Sequence, residues 1–241
     1  MLYLSASFIK DFIECPHRAK LRRDIPEQAI VSDDVIFGEI VHFAIEKFEG
    51  YDAALEYSLS EWKKRKTTNS FLEEETPDPP KSFRKMFKGY YEGIVPQINP
   101  DGFDFVQKEV MVKHQLDADT MLIGKFDRIQ VDKVYDWKTA MKPPDQYDLT
   151  DFQFYFYDLL FTLVYDMVPQ IYYGYVYGGR VYEVPILDSM RDNTGYIVQE
   201  VANRVRAGDD YKVAGYQCRK CFYRLPCYGE MTDELDNRRV S

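Results

Sequence analysis

The stretch IGKFDRIQVDKVYDWKTA, Ile123 to Ala140, carries the reading of this chain. Its apolar residues are mostly β-branched or aromatic, the composition of strands, and a turn between Val131 and Asp132 folds it into a hairpin. In that hairpin Asp127 and Asp136 fall directly opposite each other, with Cβ atoms about 4.5 to 5.5 Å apart. Two carboxylates at that separation can share a divalent cation. Lys138 lies two residues beyond Asp136, and since strand side chains alternate with period two, both project from one face. Mg²⁺ or Mn²⁺ held by carboxylates polarises a phosphodiester and activates water, while an ammonium stabilises charge or orients the nucleophile. The competing reading is a plain polar hairpin with an exposed Asp-Lys pair, which an isolated Asp-x-Lys would favour. Here the pair has the apolar flanks Val134, Tyr135 and Trp137.

Working outward, Phe103 to Val112 reads as a preceding strand and forms a three-strand meander with Met121 to Gln130 and Val134 to Thr139. The first hundred residues are mainly helical. Ser5 or Ser7 caps a helix whose residues Phe8, Ile9, Phe12 and Ile13 recur at helical spacing and lead to Cys15-Pro16. Phe37, Ile40, Val41, Ala44, Ile45 and Phe48 form the apolar stripe of a second helix, with Glu39, His42, Glu46 and Glu49 on the other side. Two more helices are expected from about Tyr51 to Lys66 and from Phe83 to about Ile94. The segment between them, TTNSFLEEETPDPPK (Thr67 to Lys81), joins prolines to an acidic run and reads as an exposed loop or mobile lid. Beyond the hairpin a helix runs from Asp151 to about Tyr165. QIYYGYVYGGRVYEVPIL then reads as two strands joined by a tight turn at Gly178-Gly179, and a last helix covers Thr194 to Arg206.

Composition limits the class. With 241 residues, 45% hydrophobic, the expected organisation is one domain with a substantial core. No apolar run approaches the roughly 20 residues of a membrane-spanning helix and no signal-peptide pattern opens the chain, so a cytoplasmic setting without membrane contact is expected. A net charge of -9 excludes a generic nucleic-acid coat. Basic residues do group locally, as in His17 to Arg23, Lys63 to Lys66, Lys81 to Lys88 and Arg219 to Arg224, which singly read as solvated faces. Four cysteines are too few for a disulfide scaffold. Three of them, Cys218, Cys221 and Cys227, form a Cys-x-x-Cys-x5-Cys triplet, which with Cys15 suits either a [4Fe-4S] cluster or structural zinc.

G-K-F-D-R-I, Gly124 to Ile129, followed by Y-D-W-K-T-A, Tyr135 to Ala140, resembles the catalytic core of RecB-like nucleases of the PD-(D/E)xK class. The resemblance implies that Asp127 and Asp136 are metal ligands, that the Trp137 carbonyl is a third, and that Lys138 is the catalytic lysine. That family also carries Gly-x-x-x-His on an upstream helix, matched by Gly38 and His42. This makes His42 a further metal ligand, with Glu46 one turn along as its supporting partner. Its Gln-x-x-x-Tyr element is matched by Gln153 and Tyr157, which share a helical face and can orient the lysine or contact a phosphate. A rival for that pair is local, since Thr150-x-x-Gln153 also reads as a capping box and Tyr157 as core. Glu109, on the strand before the hairpin, is a looser candidate for an additional acid.

One cysteine before a proline and three near the C-terminus is similar to the arrangement in RecB-like nucleases with iron-sulfur clusters, the AddB and CRISPR-associated members among them. The resemblance therefore implies a [4Fe-4S] cluster on Cys15, Cys218, Cys221 and Cys227, with zinc the lesser alternative. The expected fold is mixed α/β, a restriction-endonuclease-like core whose central mixed sheet is flanked by helices. Residues 1–100 would supply the helical portion, 101–206 the catalytic core, and 207–241 a Cys-rich tail paired with Cys15. The implied activity is metal-dependent exonucleolytic cleavage of DNA from an end, on single strands, with Mg²⁺ or Mn²⁺. Tyr90, Tyr91, Phe154 and Tyr155 are candidates to stack bases, though more of them read as core. The alternatives are an endonuclease of the same fold and an inactive DNA-end binding or docking module. Recombination, repair or CRISPR proteins, and further copies of the chain, are the partners the resemblance allows.

Overall fold

The computed structural model describes residues 1–65, 79–99 and 106–228. Its centre is a mixed sheet of six strands: β1 (Leu2–Leu4), β2 (Gln107–Asp117), β3 (Thr120–Gln130), β4 (Lys133–Lys138), β5 (Gln170–Tyr175) and β6 (Arg180–Glu183). The meander is present as antiparallel β2–β3–β4, and Gln130 pairs with Lys133 across the two-residue turn Val131-Asp132. β5 then runs parallel to β4, and β6 returns antiparallel.

β1, too short to leave a periodic signal, pairs parallel with Thr120–Leu122 at the start of β3. β4 pairs with Arg128–Gln130 at its end. One edge of β3 is therefore shared between two strands. Residues Ile123 to Asp127 lie between them, unpaired by either. On the opposite edge β2 pairs along the length of β3, with a bulge between Gln115 and Asp117 that shifts the register by one residue.

Helices cover both faces. α1 (Ala6–Glu14), α8 (Phe152–Tyr165) and α9 (Asp188–Arg206) pack through Phe8, Ile9, Phe12, Phe156, Phe161 and Val198 against Leu122, Phe126 and Val134. The other core joins α3 (Asp33–Lys47), α4 (Tyr51–Arg65) and α5 (Pro79–Lys88) to Tyr135, Trp137 and Val176. Remaining helices are α2 (Pro16–Asp24), α6 (Val95–Ile98), α7 (Gln146–Leu149) and α10 (Arg224–Tyr228). Among the described residues no helix is long and apolar enough to cross a membrane.

Several boundaries differ from the sequence reading. Residues 67–78 of the expected loop lie outside the described residues, but Pro79-Pro80-Lys81 opens α5, since proline is at ease in the first helical turn. Residues 103–105 of the expected strand lie outside as well. After α5 the helix widens into a π-helical stretch, Gly89–Ile94, before α6. The tight turn expected at Gly178-Gly179 is a four-residue turn, Val176 to Gly179, with Tyr175 paired to Arg180 and Gly179 at a φ of +65°. The last helix starts six residues early, at Asp188. Tyr90, Phe154 and Tyr155 are buried in the cores and Tyr91 donates to the Phe48 carbonyl, which removes them as stacking platforms. The basic clusters are largely paired locally, for example Arg18 and Arg22 with Asp11, Lys64 with Glu61 and Arg65 with Glu39.

Candidate active site

Beyond Arg128↔Tyr135 the β3–β4 register sets Asp127 against Asp136, and there backbone pairing gives way to a side chain: Trp137 N–H donates to Asp127 Oδ2 at 2.6 Å. Asp127 Oδ1 lies 3.2 Å from His42 Nδ1, brought in by α3. Gly38, one turn earlier on α3, sits close to β4, where an added Cβ would stand 3.5 Å from Thr139 Oγ1.

Glu109 falls opposite Asp127 across β2–β3, between the pairs Lys108↔Arg128 and Val110↔Phe126. It holds a φ of +53°, a left-handed conformation that strains a non-glycine residue by about 1–3 kcal/mol and gathers at functional sites. One donor atom each from His42, Glu109 and Asp127 lies within 4.8 Å of the others. Asp136 stands outside this group and turns to Lys138, Oδ2 to Nζ 2.7 Å.

Behind them α8 presents one amide with every hydrogen-bonding atom used. Lys138 Nζ donates to Gln153 Oε1 at 2.8 Å, and Gln153 Nε2 donates to Asp136 Oδ1 at 2.9 Å and to Tyr157 Oη at 2.8 Å. The Tyr157 hydroxyl in turn donates to the Lys125 carbonyl at 2.8 Å. The capping-box alternative fails, because Asp151 caps α8 by accepting from Gln153 N while the Thr150 hydroxyl bonds back to Gln146 O. Glu46 pairs with Lys47 at 2.5 Å and does not support the His42 ring, whose Nδ1 is taken by Asp127.

Whether these residues suit a divalent cation is decided by the atoms left over. Glu109 Oε2 and Asp136 Oδ2 are buried, and among the described residues the contact of each is an ammonium, of Lys125 and Lys138 respectively. Buried carboxylate oxygens held by exchangeable ammonium groups and gathered beside an imidazole form a donor set that fits Mg²⁺ or Mn²⁺.

The charges agree with that fit. Burial opposes ionisation of Asp127, but the charge and hydrogen bond of His42 outweigh it and its pKa lies below the ordinary value. Burial pushes Asp136 and Glu109 up. Burial would lower Lys138, yet adjacent Asp136 raises it on balance, so it is a cation at neutral pH. Burial also pulls against the charged form of His42, but the Asp127 charge and hydrogen bond prevail, with Asp136 and Glu109 adding to them, and raise it to about 9. A metal ion must displace that proton. Below pH 9 apparent Mn²⁺ affinity should therefore rise about tenfold per pH unit and level off above it. Calorimetric Mn²⁺ titrations between pH 6.5 and 8.5 check this against His42→Asn, in which the slope should flatten; a flat wild-type profile would remove His42 from the ligand set.

The four cysteines lie elsewhere. Cys15 separates α1 from α2, held extended by the following proline (φ -162°, ψ 101°), and Val213 N–H points at its Sγ from 3.5 Å. With Cys218, Cys221 and Cys227 it lines one small cavity, together with Arg18 and Lys212. Among the described residues no three of these sulfurs gather within 4.8 Å of one another. Burial raises the Cys221 and Cys227 thiols, against the pull of Arg18 and Lys212.

Of these residues, Glu109 was only loosely legible, and Lys125 was read only as part of the Gly124–Ile129 motif. The family model for the PD-(D/E)XK nuclease superfamily matches residues 3–228. A search among curated proteins finds no match. Among solved structures, one described as the crystal structure of SSO0001 is similar, with 14% identity, a TM-score of 0.48, and coverage of 96% of this chain and 88% of that one.

Proposed function

Since the chain belongs to the PD-(D/E)XK nuclease superfamily and is on that ground a metal-dependent nuclease, we propose that it is a deoxyribonuclease that digests single-stranded DNA from an end, with His42, Glu109, Asp127, Asp136, Lys138, Gln153 and Tyr157 as its site. The observation that carries this reading is the Lys138–Gln153–Asp136 network beside the His42–Glu109–Asp127 group. It sets a fixed cation next to a set of carboxylate oxygens, as phosphodiester hydrolysis requires.

His42, Glu109 and Asp127 would hold the cation, joined by Asp136 and the Trp137 carbonyl. A bound divalent ion supplies Lewis acidity to the phosphate and lowers the pKa of a water. Lys138 orients that water or neutralises charge building on the phosphate. Gln153 fixes the ammonium while holding Asp136, and Tyr157 fixes Gln153. A donor held in place costs no reorganisation as charge develops.

The four-cysteine cavity supports a second group, a [4Fe-4S] cluster in preference to zinc. Arg18 and Lys212 line the same cavity and offset thiolate charge there, and the preference for the cluster rests on the resemblance of the cysteine spacing. Such a group would staple the N-terminal helices to the C-terminal segment, so its binding energy would be folding energy.

End-labelled single-stranded DNA with Mn²⁺ or Mg²⁺ tests the activity, with protein purified anaerobically and assayed for iron and zinc. The expected result is mononucleotide or short products from the wild type and a loss of about 100-fold or more in Lys138→Ala. Cleavage of a circular single strand would establish an endonuclease instead. Binding without any cleavage would leave a DNA-end binding module.

A further inference from the structure

Beside the catalytic network lies a groove of about 360 Å³ that the roles above leave unused. Its floor is the stretch of β3 between β1 and β4, at Ile123, Gly124 and Lys125, with Met111 of β2 alongside. One wall is α1 with its N-cap, contributing Ser5, Ser7 and Lys10, and the other is α8 at Gln153 and Tyr157. The groove thus opens directly onto the residues that hold Lys138.

Its chemistry suits one kind of guest. Ser7 is exposed and Met111 is 54% exposed, so both are open to a guest. Lys125 carries its ammonium out to solvent and meets only the Glu109 carboxylate, itself a candidate for the cation. When Glu109 turns to a cation, Lys125 is left with its charge at the mouth of the groove. The acids farther along, Asp11 and Glu14, are paired with Arg18 and Arg22. A cationic mouth, two hydroxyls and an apolar floor match phosphate, sugar and base in turn.

Resting on the reading of the chain as a nuclease, we infer that this groove is the subsite for the nucleotide next to the scissile phosphate, and that it admits one strand. The volume is at the small end for ligand pockets and is walled by helices on two sides, so a paired second base has no place in it. Lys125 takes the phosphate, while Lys10, paired with the α8 cap Asp151 at 2.5 Å, closes the wall between α1 and α8; Met111 and Ile123 lie against the base.

The test separates the groove from the chemistry. Fluorescein-labelled oligothymidylate is bound in Ca²⁺, without turnover, and followed by anisotropy for the wild type, Ser7→Trp and Met111→Glu, with circular dichroism to show that each is folded. Binding weakened tenfold or more in both variants, with bis(p-nitrophenyl) phosphate hydrolysis in Mn²⁺ unchanged, supports the subsite. Unchanged oligonucleotide affinity in the folded variants overturns it while leaving the nuclease reading intact. A wild type that binds a blunt duplex as tightly as the single strand overturns the one-strand assignment. A wild type that neither binds nor cleaves any DNA removes the nuclease reading, and the subsite with it.

Discussion

Replacing Asp127 by asparagine lowers metal-dependent DNA hydrolysis by about a thousandfold or more while leaving the fold in place. The substitution is close to isosteric, so the outcome isolates charge. Asp127 accepts from Trp137 N–H through one oxygen and faces His42 Nδ1 with the other. An asparagine can keep only one of those contacts through oxygen; its NH₂ must then face a donor or lose the imidazole. Removing the carboxylate also withdraws the charge that keeps His42 protonated and, with Glu109, one of the hard donors for the cation. Mn²⁺ titration and initial rates on end-labelled DNA, with circular dichroism as the fold control, measure the loss. An Asp127→Asn protein that keeps a tenth of wild-type activity would show that the cation is held elsewhere.

The second large effect concerns stability. Gly89→Ala is expected to cost about 3 kcal/mol or more, since a Cβ there would stand 2.0 Å from the Val176 carbonyl oxygen. Gly93→Ala meets the same turn, with its Cβ 2.7 Å from Gly179 Cα. These are backbone atoms of the β5–β6 connection, so no flexible side chain can swing aside. Gln97 Nε2 already bonds the Gly179 carbonyl at 2.8 Å and holds the turn against the helix. A loss of 3 kcal/mol in a chain of this size lowers Tm by about 6–12 °C. Gly195→Ala is the control: it lies in α9 with nothing within 4 Å of an added Cβ, and should stabilise by about 0.5–1 kcal/mol. Thermal melts of the three variants decide the matter, and a Gly89→Ala protein melting like the wild type would mean that the turn can undock at little cost.

How far the site could be read from sequence depends on how local each relation is. The relation of Asp127, Asp136 and Lys138 needs only a two-residue turn and strand alternation, and the backbone follows that reading. Gln153 and Tyr157 need only a helix, which begins where the sequence reading began it, and the rival Thr150 cap gives way to Asp151. Glu109 depends on a bulge. Counting back from the Asp117↔Thr120 pair without one, Asp127 would oppose Val110, and the acid would point to the other side of the sheet. Nothing in Gln115-Leu116-Asp117 announces that extra residue. For His42 the helix itself offered only a polar face, because its partner lies 85 residues away, and the assignment came from the resemblance carried by Gly38-x-x-x-His42. The three residues of β1 and the fit of Gly89 against Val176 are likewise tertiary facts.

The candidate ligands and their lysine come from opposite layers of the molecule: His42 from α3 on one face of the sheet, Glu109 and Asp127 from the strands, and Gln153 from α8 on the other. On the ribosome this order has a safety value. A nascent chain that has released its first hundred residues carries His42 but neither Glu109 nor Asp127. Even a chain extended through β4 still lacks the amide that aims Lys138. Competence to hydrolyse would then arise only when the two layers close on the sheet, so that truncated or half-folded products would lack a working site.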